Sequence, residues 1–201
     1  MKKKLARGFV LAGILSGMVF ADSATPSGAP SEFYVNPGIA LTGAGAADYK
    51  NSFSLEAGYL KGIHQIASIG WEAGYLFGSK FEGDGFTSDT SVKILHIAPE
   101  IKVGPTFSVS DFKINPYIQG GGGLYWSHEN SGTVTTASGA MGAIDSFDRV
   151  NGGWNIGLGA AISLPGNWSV GLDVRRHDIV NKHTSDFTWV TPALRFALLF
   201  S

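Results

Sequence analysis

The chain has 201 residues, of which 44% are hydrophobic and only 15% are charged, and this length fits a single domain. It contains no cysteine, which excludes disulfide bonds, thiolate metal sites and cysteine nucleophiles. With 15 basic and 16 acidic residues it lacks the basic excess that phosphate binding requires, so we expect no nucleic-acid partner.

The N-terminus has the three parts of an export signal. Basic residues within the first seven positions precede an uncharged apolar run over 8–20, which is shorter than the ~20 residues of a membrane-spanning helix. The run ends in Val19-Phe20-Ala21, with small residues at the positions that a signal peptidase reads. We therefore predict that 1–21 is a signal peptide and that the mature chain begins at Asp22.

The segment that follows the predicted cleavage site has little to bury. Residues 22–32 consist mainly of Ser, Thr, Ala, Pro and Gly. Such a composition favours a flexible linker. We predict a periplasmic tether over 22–32 and one folded domain over 33–201.

From Phe33 onward, apolar residues recur at every second position. In 52–62, for example, Phe53 and Leu55 alternate with Ser54 and Glu56. A period of two indicates β-strands. We predict eight strands, near 34–42, 52–62, 65–78, 95–103, 114–126, 154–164, 168–175 and 194–200.

The two faces of these strands differ in a way that indicates a membrane environment. One face is aliphatic with Trp and Tyr near the strand ends, and the other is mostly Gly, Ala and Ser with a few charges. Short and long connections also alternate, as they do between the periplasmic and outer ends of transmembrane barrels. The fold class that we predict is all-β, an eight-stranded antiparallel up-and-down transmembrane β-barrel.

The signal peptide, the eight amphipathic strands and the stretches 114–126 and 194–200 together resemble the small outer-membrane β-barrel family that includes the OmpA, OmpX and OmpW types. The resemblance implies a monomer in the bacterial outer membrane, surrounded by membrane lipid and lipopolysaccharide. It also implies folding by the barrel-assembly machinery, which reads a C-terminal aromatic residue. Here Ser201 follows Phe200.

Several ionisable side chains fall on the face predicted to line the lumen. With a turn centred on His64, Glu56 lies opposite Glu72, and we expect Arg175 or Arg195 to neutralise this pair from across the barrel. Paired carboxylates can perform acid-base chemistry, but we favour a structural role. The predicted lumen charge cluster comprises Glu56, Glu72, His96, Glu100, Lys102, Asp173, Arg175 and Arg195.

An enzymatic role is the least favoured interpretation. The segment 175–179 resembles part of the lipid A deacylases, which are eight-stranded barrels with a His-x-Ser pair on a late strand. Ile179 stands where the nucleophilic serine would be, so acyl transfer has no nucleophile there. His177 and His183 lack a third metal ligand. We predict no catalytic residue, cofactor or metal.

Two functions remain open. The barrel could support outer loops, above all 128–149, that contact other cells or molecules. Alternatively, it could be a narrow channel for small, hydrophobic solutes, as the OmpW type would imply. An eight-stranded lumen is about filled by side chains, but inward glycines would widen it. These glycines are Gly58, Gly70, Gly74, Gly121, Gly123, Gly157, Gly159 and Gly171.

Overall fold

The computed structural model describes residues 30–42, 49–83, 85–110, 112–180 and 187–200. No helix within these ranges is long and apolar enough to cross a membrane. The described residues form eleven strands: β1 (Ser31–Thr42), β2 (Ser52–His64), β3 (Ala67–Gly83), β4 (Phe86–Val103), β5 (Phe107–Val109), β6 (Phe112–Glu129), β7 (Gly132–Thr136), β8 (Met141–Ile144), β9 (Phe147–Leu164), β10 (Trp168–Val180) and β11 (Phe187–Phe200).

Eight of these strands form a closed antiparallel barrel. Their order is β1, β2, β3, β4, β6, β9, β10 and β11, and β1 pairs with β11 to complete the circle. Side chains alternate between the two faces because the side-chain period of a strand is two. Leu158 and Leu172 on the outer face are 65% and 64% exposed, whereas Arg175 on the inner face is fully buried. The predicted barrel and its eight strands are confirmed.

Both ends of the chain segment that builds the barrel lie at one end of it, which we call the periplasmic end. Two of the connections here are short turns, and the connection between β4 and β6 is longer and contains β5. Gly166 and Asn167 adopt positive φ angles of 81° and 65° in the turn between β9 and β10. The predicted turn at 63–64 is wrong. The turn lies at Gln65–Ile66, so that β2 continues to His64, and a bulge between Gly62 and His64 also shifts the register of β2 against β3.

The opposite end, which we call the outer end, has more strand structure than expected. The segment 79–91, which follows the third predicted strand and was expected to be a loop, is mostly strand, since β3 extends to Gly83 and β4 begins at Phe86. The predicted loop 128–149 contains the hairpin of β7 and β8. Strand β7 pairs with β4 at Phe86–Ser88, so this hairpin extends the barrel sheet outward.

The start of the barrel corrects the predicted boundary of the tether. Strand β1 begins at Ser31, so Ser31 and Glu32 belong to the barrel and not to a flexible linker. The physical reason is that Glu32 points inward and is ion-paired in the lumen. The predicted signal peptide 1–21, the tether up to 29, and Ser201 lie outside the described residues.

Candidate functional site: the barrel lumen

Large inward side chains lie across glycines of neighbouring strands. A Cβ atom on Gly159 would come within 2.4 Å of the Tyr117 hydroxyl and 2.6 Å of the Leu172 carbonyl oxygen. A Cβ on Gly58 would come within 2.5 Å of the Tyr34 ring. These glycines therefore make room for aromatic rings, and the expectation that they widen an open passage is wrong at both positions.

All eight residues of the predicted lumen charge cluster point inward and are buried, with Lys102 the most exposed at 9%. They do not form one cluster but separate along the barrel axis. We define the middle layer as Glu56, Glu72, Glu100, Asp173 and Arg175. We define the periplasmic layer as Lys102 and Arg195 together with Glu32.

Arg175 is the centre of the middle layer. Its guanidinium group donates a hydrogen bond to Glu72, and its Nη1 atom lies 3.5 Å from Glu56 Oε2. Its Nη2 atom lies 3.4 Å from Asp173 Oδ2. One cation thus serves three carboxylates, and the backbone of Gly157 opposite Arg175 leaves space for its side chain.

Neutral donors supply most of the other hydrogen bonds of the middle layer. The Tyr34 hydroxyl donates to Glu72 at 2.8 Å, and the Tyr117 hydroxyl donates to Asp173 at 2.8 Å. Asn155 Nδ2 donates to Glu100 Oε1 at 2.6 Å. Because unpaired buried carboxylates are costly, these donors are needed where cations are few.

Two histidines connect the middle layer to the outer end. His96 Nε2 is 3.3 Å from Glu72 Oε1, and His177 Nε2 is 3.0 Å from Glu56 Oε1. The ring of His177 stacks on Trp189 with a centroid distance of 4.5 Å and an interplanar angle of 2°. His177 is absent from the predicted lumen charge cluster, although its alternation with Arg175 on the same strand predicts that it points inward.

The periplasmic layer has the opposite balance of charge. Glu32 Oε1 accepts hydrogen bonds from Lys102 Nζ at 2.9 Å and from Arg195 Nη2 at 2.8 Å. Arg195 also lies 3.7 Å from the centroid of the Tyr34 ring. Of the two cations predicted to neutralise the Glu56 and Glu72 pair, Arg175 does so, whereas Arg195 is paired with Glu32.

The register of β2 against β3 also shows that the predicted cross-strand pairing of Glu56 with Glu72 is wrong. Glu56 lies opposite Gly74, and Glu72 lies opposite Gly58, so the two glutamates are not directly paired. The error is two residues, because the turn centre lies beyond His64. Arg175 still reaches both carboxylates from β10, since both point into the lumen.

The two ends of the lumen differ in polarity. The outer end is filled by an apolar cluster, whereas the sequence predicted a lumen lined mainly by Gly, Ala and Ser. The members of this cluster are Ala40, Leu76, Val92, Ile94, Tyr125, Ile179 and Trp189. The periplasmic end opens into a vestibule of about 750 Å³ whose lining includes charged and polar side chains. Glu32 and Lys102 lie at its inner limit, with Ser68, Ser163 and Ser169 on its walls.

This arrangement is that of a membrane barrel whose lumen is occupied by its own side chains. The chain matches the family model described as "Outer membrane protein beta-barrel domain" over residues 8–190, and it belongs to that family. It is therefore an outer-membrane β-barrel protein. A search of curated proteins finds no matching relative.

Solved structures agree with the fold. The N-terminal β-barrel domain of Pseudomonas aeruginosa OprF is 11% identical, with a TM-score of 0.51, over 86% of this chain and 99% of that one. Neisserial surface protein A is 12% identical, with a TM-score of 0.52, over 85% and 96%. Yersinia pestis Ail, solved with the heparin analogue sucrose octasulfate, is 12% identical, with a TM-score of 0.52, over 86% and 99%.

Proposed function

We propose that the protein presents its outer loops to other molecules at the cell surface, with the barrel as a rigid support. The observation that carries this proposal is the hairpin of β7 and β8. It continues the barrel sheet beyond the membrane-spanning strands and ends in β8, which forms one edge of the sheet. Exposed edge strands are templates for strand addition by another chain.

The edge of β8 is chemically open to such pairing. Thr136 N donates to Ala140 O at 2.9 Å, and the antiparallel pattern then directs the amides of Met141 and Ala143 away from β7. Residues 132–144 contain no charge and no proline, the features that usually protect an edge. The partner that fits is an extended, uncharged peptide segment.

Peptide selection on the protein in lipid nanodiscs tests this role. We expect a random display library to yield peptides that protect the Met141 and Ala143 amides from hydrogen exchange. Ala143→Pro should abolish their binding, since it removes an outward N–H without breaking the ladder to β7. The matched variant Ala143→Ser should retain it. Failure to recover peptides, or equal binding to both variants, would refute strand addition.

The alternative role is a narrow channel for small solutes. The vestibule favours entry from the periplasmic end, whereas Arg175 and the apolar cluster at the outer end oppose passage. We expect the purified protein to show no stable conductance steps in planar bilayers. Regular steps in the wild-type protein would favour the channel instead.

We infer that the protein acts without catalysis. Ile179 is 2% exposed within the apolar cluster, and His177 contacts Glu56, Tyr125 and Trp189. None of the hydrogen bonds found among the described residues joins His177 to a serine or threonine hydroxyl. Mass spectra of lipid A from cells with and without the protein should therefore show the same number of acyl chains.

The remaining expectations concern export and assembly. We propose that residues 1–21 direct export, that the barrel-assembly machinery inserts the mature chain, and that it remains a monomer among lipid and lipopolysaccharide. The basic and apolar parts of 1–21 and the family membership support this proposal. Mass spectrometry of the exported protein should find Asp22 at the N-terminus, and retention of 1–21 would contradict it.

A further inference from the structure

The vestibule at the periplasmic end contains two rows of polar side chains. On β6, β9 and β10, Lys113 is directly opposite Ser163, and Ser163 is directly opposite Ser169. On β3 and β4, Ser68 is directly opposite Lys102. All five residues line the vestibule, so each row presents one lysine beside at least one serine. We call these five residues the vestibule site.

The serine hydroxyls of the vestibule site are available to a ligand. Ser68 and Ser169 are only 6% and 4% exposed. None of the hydrogen bonds found among the described residues involves the hydroxyl of Ser68, Ser163 or Ser169. Buried polar groups normally have a hydrogen-bond partner, because burying them without one is costly. In a cavity that opens to the periplasm, a polar solute can supply that partner.

The charges of the vestibule favour an anion. Of the described residues that line it, the ionisable ones are Lys102, Lys113 and Glu32. Glu32 accepts hydrogen bonds from both Lys102 and Arg195, so Arg195 keeps this carboxylate paired when Lys102 binds a ligand. Lys113 is exposed, and it forms no ion pair within the described part of the chain. The vestibule therefore has positive charge in excess of what Glu32 neutralises.

The size and the remaining lining of the vestibule limit the ligand. Its volume of about 750 Å³ lies within the range of small-molecule sites, roughly 300–1,000 Å³. Gln65 and Asn167 add amide groups, which donate and accept hydrogen bonds as sugar hydroxyls do. Ile66, Phe112 and Leu164 provide apolar surface for the C–H faces of a ring. A small ring that carries hydroxyl groups fits this combination.

We propose that the vestibule site binds a monosaccharide-sized anion, which is a ring with several hydroxyl groups and one carboxylate or phosphate group. Lys102 and Lys113 bind the anionic group as compact charges, and the serine hydroxyls bind the hydroxyl groups of the ring. Periplasmic solutes reach the site without crossing the lumen, because the vestibule opens at the periplasmic end. The site is independent of strand addition at β8 and of passage through the barrel.

Calorimetric titration of the purified protein in lipid nanodiscs tests the proposal, with glucuronate and glucose 6-phosphate as probes. Binding of either probe supports it, and the tighter probe shows whether carboxylate or phosphate is preferred. Lys113→Gln should weaken binding roughly tenfold or more, since it removes a charge-assisted hydrogen bond. Lys80→Gln is the matched control, because Lys80 is an exposed cation toward the outer end of β3. Its binding should equal that of the wild-type protein.

Further variants and ligands separate recognition of a sugar-sized anion from simple charge attraction. Ser169→Ala should weaken binding roughly two- to tenfold, as expected for loss of a neutral hydrogen bond, whereas Lys113→Arg should retain binding. Neutral glucose and inorganic phosphate should each bind at least tenfold more weakly than the better probe. Heat-modifiable gel mobility confirms that each variant is folded.

Nuclear magnetic resonance in nanodiscs locates the bound probe. Amide chemical-shift changes should be confined to the periplasmic ends of β3, β4, β6, β9 and β10. The proposal would be overturned if neither probe bound at millimolar concentration, or if the shift changes lay at the outer end. It would also be overturned if inorganic phosphate bound as tightly as glucose 6-phosphate, or if Lys80→Gln and Lys113→Gln lost binding equally.

Discussion

The two charged layers of the lumen achieve neutrality in opposite ways. In the middle layer Arg175 is the one guanidinium group among four carboxylates and pairs with three of them. Hydroxyl and amide groups donate further hydrogen bonds, although Glu56 Oε2 and Asp173 Oδ1 accept none from the described residues. In the periplasmic layer two cations share the single carboxylate of Glu32. As defined, the middle layer contains no second Lys or Arg, whereas in the periplasmic layer a second cation stays on Glu32 when the first is removed.

This difference has a direct energetic consequence. Breaking a buried ion pair is costly mainly because the remaining charge is left without a partner. Loss of Arg175 leaves three carboxylates without a cation. Loss of either Lys102 or Arg195 leaves Glu32 with the other, so the same type of substitution should cost less in the periplasmic layer.

The largest effect is expected for Arg175→Met. We predict that it lowers the free energy of unfolding by roughly 3–5 kcal/mol, because Glu56, Glu72 and Asp173 lose their shared cation. Urea unfolding in phospholipid vesicles, followed by tryptophan fluorescence, measures it. Adding Glu72→Gln should restore part of the loss. No rescue and a cost below ~1 kcal/mol would show that the middle layer does not depend on Arg175.

Alternation in the sequence was sufficient to predict the barrel and the inward direction of every member of the lumen charge cluster. The period of two depends only on strand geometry, so it requires no knowledge of the neighbouring strands. A short, regular turn centred on Gly166 also predicts Gly157 opposite Arg175 and Gly159 opposite Asp173, and the structure has both pairs. The local sequence is therefore sufficient to predict cross-strand partners where the connecting turn is short.

Partners across the barrel could not be predicted in this way. The turn between β2 and β3 lies at Gln65–Ile66 and not at 63–64, which puts Glu56 opposite Gly74, and no feature of the local sequence marks this turn position or the bulge beside it. Glu32 was missed because the Pro- and Ser-rich residues before it suggested a linker. Which cation reaches which carboxylate depends on closure of β1 against β11 and on the stagger of all eight strands.

An intermediate effect is expected for Arg195→Met. We predict a loss of about 2 kcal/mol in the free energy of unfolding, because Glu32 keeps Lys102 while the contact of Arg195 with the Tyr34 ring is removed. A double-mutant cycle in urea should couple Arg195 to Glu32 by more than ~1 kcal/mol. Coupling of similar size to Glu56 would contradict the separation of the two layers.

The smallest single effect is expected for Lys102→Met. This substitution tests whether Arg195 alone is sufficient to neutralise Glu32. Lys102 borders the vestibule, and Arg195 remains on Glu32, so we predict a loss of about 1 kcal/mol in the free energy of unfolding. Combining it with Arg195→Met removes both partners of a buried carboxylate. The double variant should therefore lose more than the sum of the single losses, by at least ~1 kcal/mol. Additive losses would mean that the two cations do not substitute for one another, and the contrast with Arg175 would then rest on the number of carboxylates alone.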